Sequence, residues 1–131
     1  MHDRFIDTNI ILYLLDDSTK ADKAEHILSQ GGVISVQVLN ECLATLRKKT
    51  HLNFDQRARF LRGVRDLVTV VPITEHTHEV GHAVAERYQF SVYDSLIVAS
   101  ALLAGCTTLL TEDLNSGQVI NDTLLIENPM T

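Results

Sequence analysis

Apolar and polar residues follow one another along this chain with the spacings of short strands and amphipathic helices. β-Branched or apolar runs predict strands over residues 4–7, 33–35, 68–71, 107–110 and 124–126, the last at a sheet edge. Helical spacing predicts helices over residues 10–15, 19–30, 36–49, 75–88 and 93–104, and one capped by Asn53 or Asp55 that ends near Leu67. Alternating strands and helices predict an α/β fold with a mostly parallel central sheet covered on both faces.

Length and composition fit one domain spanning residues 1–131. The chain is 45 % hydrophobic and 21 % charged, which is ordinary for a globular protein. Cys42 and Cys106 lie far apart in apolar runs, which predicts two buried thiols and neither a disulfide nor a CxxC metal site. No signal-peptide pattern opens the chain, and no apolar run approaches the roughly 18 residues of a membrane span. A cytoplasmic, reduced protein without a membrane partner is expected.

Four acids adjoin long apolar segments instead of other polar residues. Asp7 ends the first predicted strand, Asp113 follows the strand at residues 107–110, Glu41 lies in the helix after the second strand, and Asp94 opens an apolar helix. Ligands of parallel sheets bind beyond the carboxyl ends of the strands, so these acids are expected to meet at that edge. Taken alone, Asp7 is also explained as a helix cap, Asp94 as a helix-dipole complement and Asp113 as a turn residue.

Clustered carboxylates raise each other's pKa values and destabilise a fold unless cations offset their charge. Oxygen ligands without sulfur favour Mg²⁺ or Mn²⁺. Such ions lower the pKa of a bound water and stabilise the leaving oxygen in phosphodiester cleavage. The formal net charge of −6 counts against wrapping of nucleic acid by bulk electrostatics, but it suits a site that attracts cations.

Four strings in this order resemble the motifs of PIN-domain nucleases: FIDTNI at residues 5–10, VLNE at 38–41, YDSLIVA at 93–99 and LTEDL at 110–114. The closing Gly117-Gln118 and Asn128-Pro129 resemble the tail of VapC-type toxins of type II toxin–antitoxin systems. The resemblance covers essentially the whole chain.

The resemblance implies a three-layer α/β/α sandwich and a Mg²⁺- or Mn²⁺-dependent endoribonuclease that cleaves RNA with a metal-activated water. It also implies a cognate antitoxin protein as partner and a homodimer. Asp7, Asp94 and Asp113 would bind metal directly, and Glu41 would bind it directly or through water. Hydrogen bonds would support the acids, in the family's pattern, from Thr8, Asn9, Ser35 and Thr111.

A competing string is His78-Glu79-Val80-Gly81-His82, which fits HExxH. On a helix the two histidines share a face and could hold Zn²⁺, with Glu79 as base and Glu86 as a third ligand, as in a metallopeptidase. Gly81 weakens that helix, and a solvated face is the plainer interpretation. Two further alternatives are an inactive PIN-like module that only binds RNA, and phosphoryl transfer to Asp7, for which Asn9 stands where a second aspartate is needed.

Basic residues concentrate in two predicted helices. The candidates for holding RNA phosphates beside the metal ions are Arg47, Lys48, Arg59, Arg62 and Arg65. A solvated helix face explains them equally well. The four Phe, three Tyr and no Trp argue against a broad platform for stacking long single strands, which favours a structured RNA loop as substrate.

Overall fold

A computed structural model describes residues 3–131 of the protein and shows a six-stranded sheet with six α-helices. The strands are β1 (Arg4–Ile6), β2 (Val33–Ser35), β3 (Thr69–Val71), β4 (Thr108–Leu110), β5 (Val119–Ile120) and β6 (Leu124–Glu127). The helices are α1 (Thr8–Leu12), α2 (Thr19–Ser29), α3 (Val36–Lys49), α4 (Phe54–Leu67), α5 (Glu75–Tyr88) and α6 (Val92–Leu103), with a short 3-10 helix at Tyr13–Leu15.

The strand order is β3-β2-β1-β4-β6-β5, and every pairing is parallel except the antiparallel β5–β6 pair. β1 and β4 are neighbours at the centre, with Ile6 opposite Leu110 in the register. The residues that follow these two strands, Asp7 and Thr111, therefore lie side by side at one edge of the sheet. The predicted mostly parallel α/β sandwich is confirmed.

The helices form two groups. The chain moves from β1 to β2 to β3 in one direction and returns from β3 to β4 in the other, and parallel crossovers are right-handed. This handedness places α1 to α4 on one face and α5 with α6 on the other. The contacts agree, because α1 packs on α3, α4 packs on α2 and α3, and α5 packs extensively on α6.

The core lies between the sheet and these helix layers. Phe5, Ile34, Leu109 and Ile126 are among the fully buried side chains. Gly32 precedes β2 at φ +150°, which other residues rarely adopt, and a Cβ there would stand 3.1 Å from the backbone oxygen of Arg4, so both the backbone conformation and the close approach favour glycine. Among residues 3–131, no helix combines the length and the apolar character needed to cross a membrane.

The structure corrects several predicted boundaries. β1 ends at Ile6, and Asp7 caps α1, which begins at Thr8 rather than at residue 10. The strand at residues 124–127 is not an edge strand, because β5, which we did not predict, covers its outer side. Asn53, and not Asp55, caps α4 in a reciprocal capping box with Gln56.

Candidate active site

Asp7 is the most deeply placed of the four predicted acids. Its side chain is 4 % exposed. Thr8 N donates to Asp7 Oδ1 at 2.7 Å, and Thr111 Oγ1 donates to Asp7 Oδ2 at 2.8 Å. Burial raises the pKa of Asp7 from 3.8 to about 6, opposed by these two hydrogen bonds and reinforced by repulsion from Asp113 and Glu41. The fold thus holds a carboxyl group where ionisation is costly.

Glu41 joins this carboxyl group through one intervening residue. Thr8 Oγ1 donates to Glu41 Oε1 at 2.6 Å, so adjacent residues 7 and 8 connect β1 to α3. The other oxygen, Glu41 Oε2, accepts from Gln37 Nε2 at 3.2 Å. Gln37 lies one turn earlier on α3, and its Nε2 is also 3.3 Å from the carbonyl oxygen of Tyr93. Gln37 therefore connects α3 to the first turn of α6.

Asp94 and Asp113, the other two predicted acids, belong to the start of α6 and to the loop after β4. Ser91 caps α6 by accepting from Asp94 N at 3.2 Å, which places Asp94 in the first turn. Burial raises the pKa of Asp94, a hydrogen bond with Ser91 lowers it, and repulsion from Asp113 and Glu41 raises it further. Asp113 is an exposed residue of the loop after β4, and its N–H donates to Thr111 Oγ1 at 3.0 Å.

The four acids thus form one electrostatically coupled group, which we call the acidic set. Neither ion pair found within residues 3–131 includes any member of it. In the same part of the chain, no three His, Cys, Asp or Glu side chains stand close enough to hold one metal ion together. These carboxylates therefore lie close enough to repel one another, but their side chains do not converge on a common metal position.

Three of the predicted supporting residues contact this network. Thr8 and Thr111 hold acids directly, as described above. Asn9 acts on Thr111, since Asn9 Nδ2 donates to Thr111 Oγ1 at 3.4 Å and Asn9 Oδ1 accepts from Glu112 N at 3.4 Å. Ser35 was expected to form a hydrogen bond with an acid, but the structure places its hydroxyl elsewhere. Its Oγ accepts from Val38 N and caps α3, so its effect on Glu41 is through the start of that helix.

Gln37 and Ser91 are functional candidates that we did not predict from the sequence. Gln37 stands four residues before Glu41, so the two side chains share a face of the predicted helix, and this spacing was the available signal. Ser91 stands three residues before Asp94, which is the spacing of a helix cap.

The His-rich string forms part of α5, but it does not form a metal site with the described residues. His78 and His82 are exposed, with ring centroids 6.5 Å apart, and no third ligand joins them within residues 3–131. Gly81 is buried against α6, where an added Cβ would stand 2.8 Å from Leu96 Cδ2. The glycine in the string therefore has a packing role.

The predicted RNA-binding residues are all exposed, on α3 and α4: Arg47, Lys48, Arg59, Arg62 and Arg65. Lys48 lies seven positions after Glu41, roughly 10 Å along the helix at about 1.5 Å per residue. Lys48 is thus displaced from Glu41 along α3, and neither ion pair within residues 3–131 joins one of these five residues to the acidic set.

The chain belongs to the PIN domain family, whose family model matches residues 4–119. Membership supports a nuclease activity. A comparison with curated proteins finds no match.

Three solved structures of bacterial proteins have similar folds. A toxin–antitoxin complex from Klebsiella pneumoniae matches with a TM-score of 0.74 and 20 % identity over 96 % of this chain and 97 % of that chain. VapBC2 from Rickettsia felis, bound to a promoter DNA fragment, matches with a TM-score of 0.70 and 19 % identity over 95 % and 97 %. VapC20 from Mycobacterium tuberculosis, a toxin that cleaves the sarcin–ricin loop, matches with a TM-score of 0.64 and 20 % identity over 84 % and 91 %.

Proposed function

We propose that the protein is a Mg²⁺- or Mn²⁺-dependent endoribonuclease and acts as the toxin of a toxin–antitoxin pair. The observation that carries this proposal is the acidic set. Four carboxylates from separate parts of the chain repel one another near the carboxyl ends of β1 and β4, and neither ion pair of the described residues includes any of them.

The donor chemistry of the acidic set fits a hard divalent cation. All its ligating atoms would be carboxylate oxygens, supplied by Asp7, Glu41, Asp94 and Asp113. Burial raises the pKa values of Asp7 and Asp94 and mutual repulsion adds to the rise, and a cation would offset that repulsion. Asp94 and Asp113 are less buried than Asp7 and belong to a helix start and a loop, so their side chains have room to rotate toward a shared ion.

The bound cation would supply a water of lowered pKa and stabilise the leaving oxygen. The protein's own residues prepare that arrangement. Thr111 and Thr8 fix both oxygens of Asp7, and Thr8 with Gln37 fixes both oxygens of Glu41. Glu41, half-buried and oriented in this way, is the residue we assign to accept the proton of the attacking water.

An RNA substrate would lie across the acidic set toward the exposed basic residues of α3 and α4. Those residues would contact phosphates and supply the affinity that a net charge of −6 does not. Reversing the charge of Arg62, as in Arg62→Glu, should weaken RNA binding and flatten its dependence on salt concentration. Binding with an unchanged salt dependence would exclude Arg62.

An antitoxin partner is supported by the complexes found among the structural neighbours. A groove of about 580 Å³ runs from Asn9, beside the acidic set, to Lys49 and Thr50 at the end of α3. Leu12, Tyr13 and Leu46 contribute to its lining. An extended segment of a partner protein lying there would reach the acidic set, as the family resemblance leads us to expect. A homodimer stays a prediction that gel filtration tests.

The test is cleavage of total RNA by purified protein. We expect cleavage with Mg²⁺ or Mn²⁺, none in EDTA, and none with Asp7→Asn in either ion. Asp122→Asn is a matched control, because Asp122 is an exposed acid at φ 62°, a conformation that asparagine adopts readily. RNA binding without cleavage in either ion would favour the inactive module. Peptidase activity lost in His78→Ala would favour the zinc enzyme.

The toxin assignment is tested separately from the chemistry. Induced expression of the chain alone should arrest growth of a bacterial host, and Asp7→Asn expressed to the same level should not. Equal growth with both proteins would leave a nuclease that is not a toxin.

A further inference from the structure

One aromatic side chain stands exposed next to the acidic set. The chain has four Phe and three Tyr residues, and two of these seven are exposed, Phe54 at 74 % and Tyr93 at 69 %. Phe54 begins α4 and lies beside Leu43 and Arg47, while Tyr93 directly precedes Asp94 in the first turn of α6. Exposure of a tyrosine ring leaves apolar surface in water, which a stacking ligand would cover.

The backbone that carries Tyr93 is held in place. Gln37 Nε2 lies 3.3 Å from the Tyr93 carbonyl oxygen, and the Ser91 cap fixes the turn through Asp94 N. The Gln37 amide that reaches Tyr93 also donates to Glu41. The origin of the tyrosine side chain is therefore fixed relative to two acids, Glu41 and Asp94. Its neighbour Val92 is 66 % exposed and extends the apolar surface.

We propose that Tyr93 is a substrate-positioning residue that stacks on one unpaired nucleobase next to the phosphate being cleaved. The inference rests on the proposed ribonuclease function. Beyond the phosphate that bound ions would hold, the carboxylates repel an RNA backbone, and the predicted phosphate-binding residues of α3, Arg47 and Lys48, are six and seven positions after Glu41, roughly 9 to 10 Å along the helix. Contacts to a base are neutral, so stacking can hold the strand where charge cannot.

A single exposed ring also defines the kind of substrate. One ring stacks on one base, and a second exposed aromatic near the acidic set is absent from residues 3–131. The ring therefore suits a base turned out of a structured loop more than a long single strand lying on several rings.

The experiment compares Tyr93→Ala, Tyr93→Phe and Phe54→Ala, using as probe a short fluorescent RNA hairpin with an unpaired loop. Tyr93→Ala should raise KM roughly tenfold, the size of one base-stacking contact, with kcat within about twofold of the parent. Tyr93→Phe keeps the ring and should retain the parent KM. Phe54→Ala removes an equally exposed ring away from the acidic set and should also retain it. Thermal unfolding confirms that each variant is folded.

A second arm replaces one nucleotide at a time by an abasic one. In the parent, one position next to the cut should raise KM roughly tenfold, and in Tyr93→Ala the same abasic nucleotide should have no further effect. The proposal would be overturned if the abasic nucleotide and Tyr93→Ala raised KM independently, so that their effects multiplied. It would also be overturned if Tyr93→Ala had a parent-like KM, or if Tyr93→Ala lowered only kcat. If the parent cleaves no RNA with either ion, the ribonuclease proposal fails and this inference fails with it. If the parent is active and Tyr93→Ala has the same KM as the parent, only the stacking proposal is overturned.

Discussion

Replacing Asp7 by asparagine should stabilise the metal-free protein at neutral pH, although it abolishes the proposed activity. The reason is the unfavourable placement of the carboxylate. Asp7 is 4 % exposed, and its pKa is raised from 3.8 to about 6 in the folded protein. The folded state therefore retains a proton that the unfolded chain has already lost, over the window from about pH 4 to about pH 6. Stability falls with rising pH across this window, and the full penalty is present above it.

The size of this penalty follows from the shift. A rise of about two pKa units corresponds to about 3 kcal/mol at pH 8, at about 1.4 kcal/mol per unit. Asparagine removes the charge but disturbs one contact. The Thr111 hydroxyl donates to Asp7 and already accepts from Asp113 N and Asn9 Nδ2, so it has no lone pair left for an asparagine N–H. Losing one such hydrogen bond costs about 1 kcal/mol, which leaves a net gain of about 2 kcal/mol.

The assay is urea unfolding in EDTA at two pH values. At pH 8, Asp7→Asn should exceed the parent in free energy of unfolding by about 2 kcal/mol. At pH 4.5 the charge penalty on the parent falls to about 1 kcal/mol, so the two proteins should be nearly equal. Asp122→Asn should match the parent at both values. A variant less stable than the parent at pH 8, or a gain that does not change with pH, would refute the reasoning from burial.

Three further results are expected. Thr111→Val removes a fully buried hydroxyl that holds Asp7, and it should lower the free energy of unfolding at pH 8 by roughly 1–3 kcal/mol in urea titrations. An unchanged free energy of unfolding would show that water replaces the hydroxyl. Cys42 is 0 % exposed, and burial together with nearby Glu41 and Asp7 raises the pKa of its thiol to about 12. It should therefore react with a thiol reagent at pH 8 only after unfolding. Rapid labelling of the native protein would contradict this. Gln37→Ala should lower kcat roughly tenfold with little change in the melting temperature, because outer hydrogen bonds of this kind orient a ligand, and parent-like kcat would make Gln37 dispensable.

The sequence was most informative about the central strands. The apolar run before Asp7 and the run before Thr111 could be recognised as strands, and parallel strands must end at a common edge. From that rule we expected Asp7 and Asp113 at one end of the sheet, whereas the supporting role of Thr111 came only from the family resemblance. The buried thiols followed from the apolar surroundings of Cys42 and Cys106, and both are buried in the structure.

Other features depend on tertiary contacts that no local pattern encodes. β5 has two residues and exists because Val119 and Ile120 pair with β6, so nothing in its composition distinguishes it from a loop. The bond from Gln37 to the carbonyl oxygen of Tyr93 joins residues 56 positions apart. The relative directions of the four carboxylates depend on side-chain rotamers, so the sequence predicted their convergence but not their separation.

The central position of β1 and β4 has a consequence for control. Amides of interior strands exchange with solvent only through large-scale opening, whereas termini and loops open at little free-energy expense. Asp7 and Thr111 directly follow the two innermost strands, and Asp7 N donates to the carbonyl oxygen of Leu110 at 3.0 Å. Local fraying therefore cannot separate Asp7 from Thr111 unless the central strands of the sheet also unfold. A partner that covers this pair would therefore block access to it without unfolding it, and removal of that partner would leave the same geometry in place.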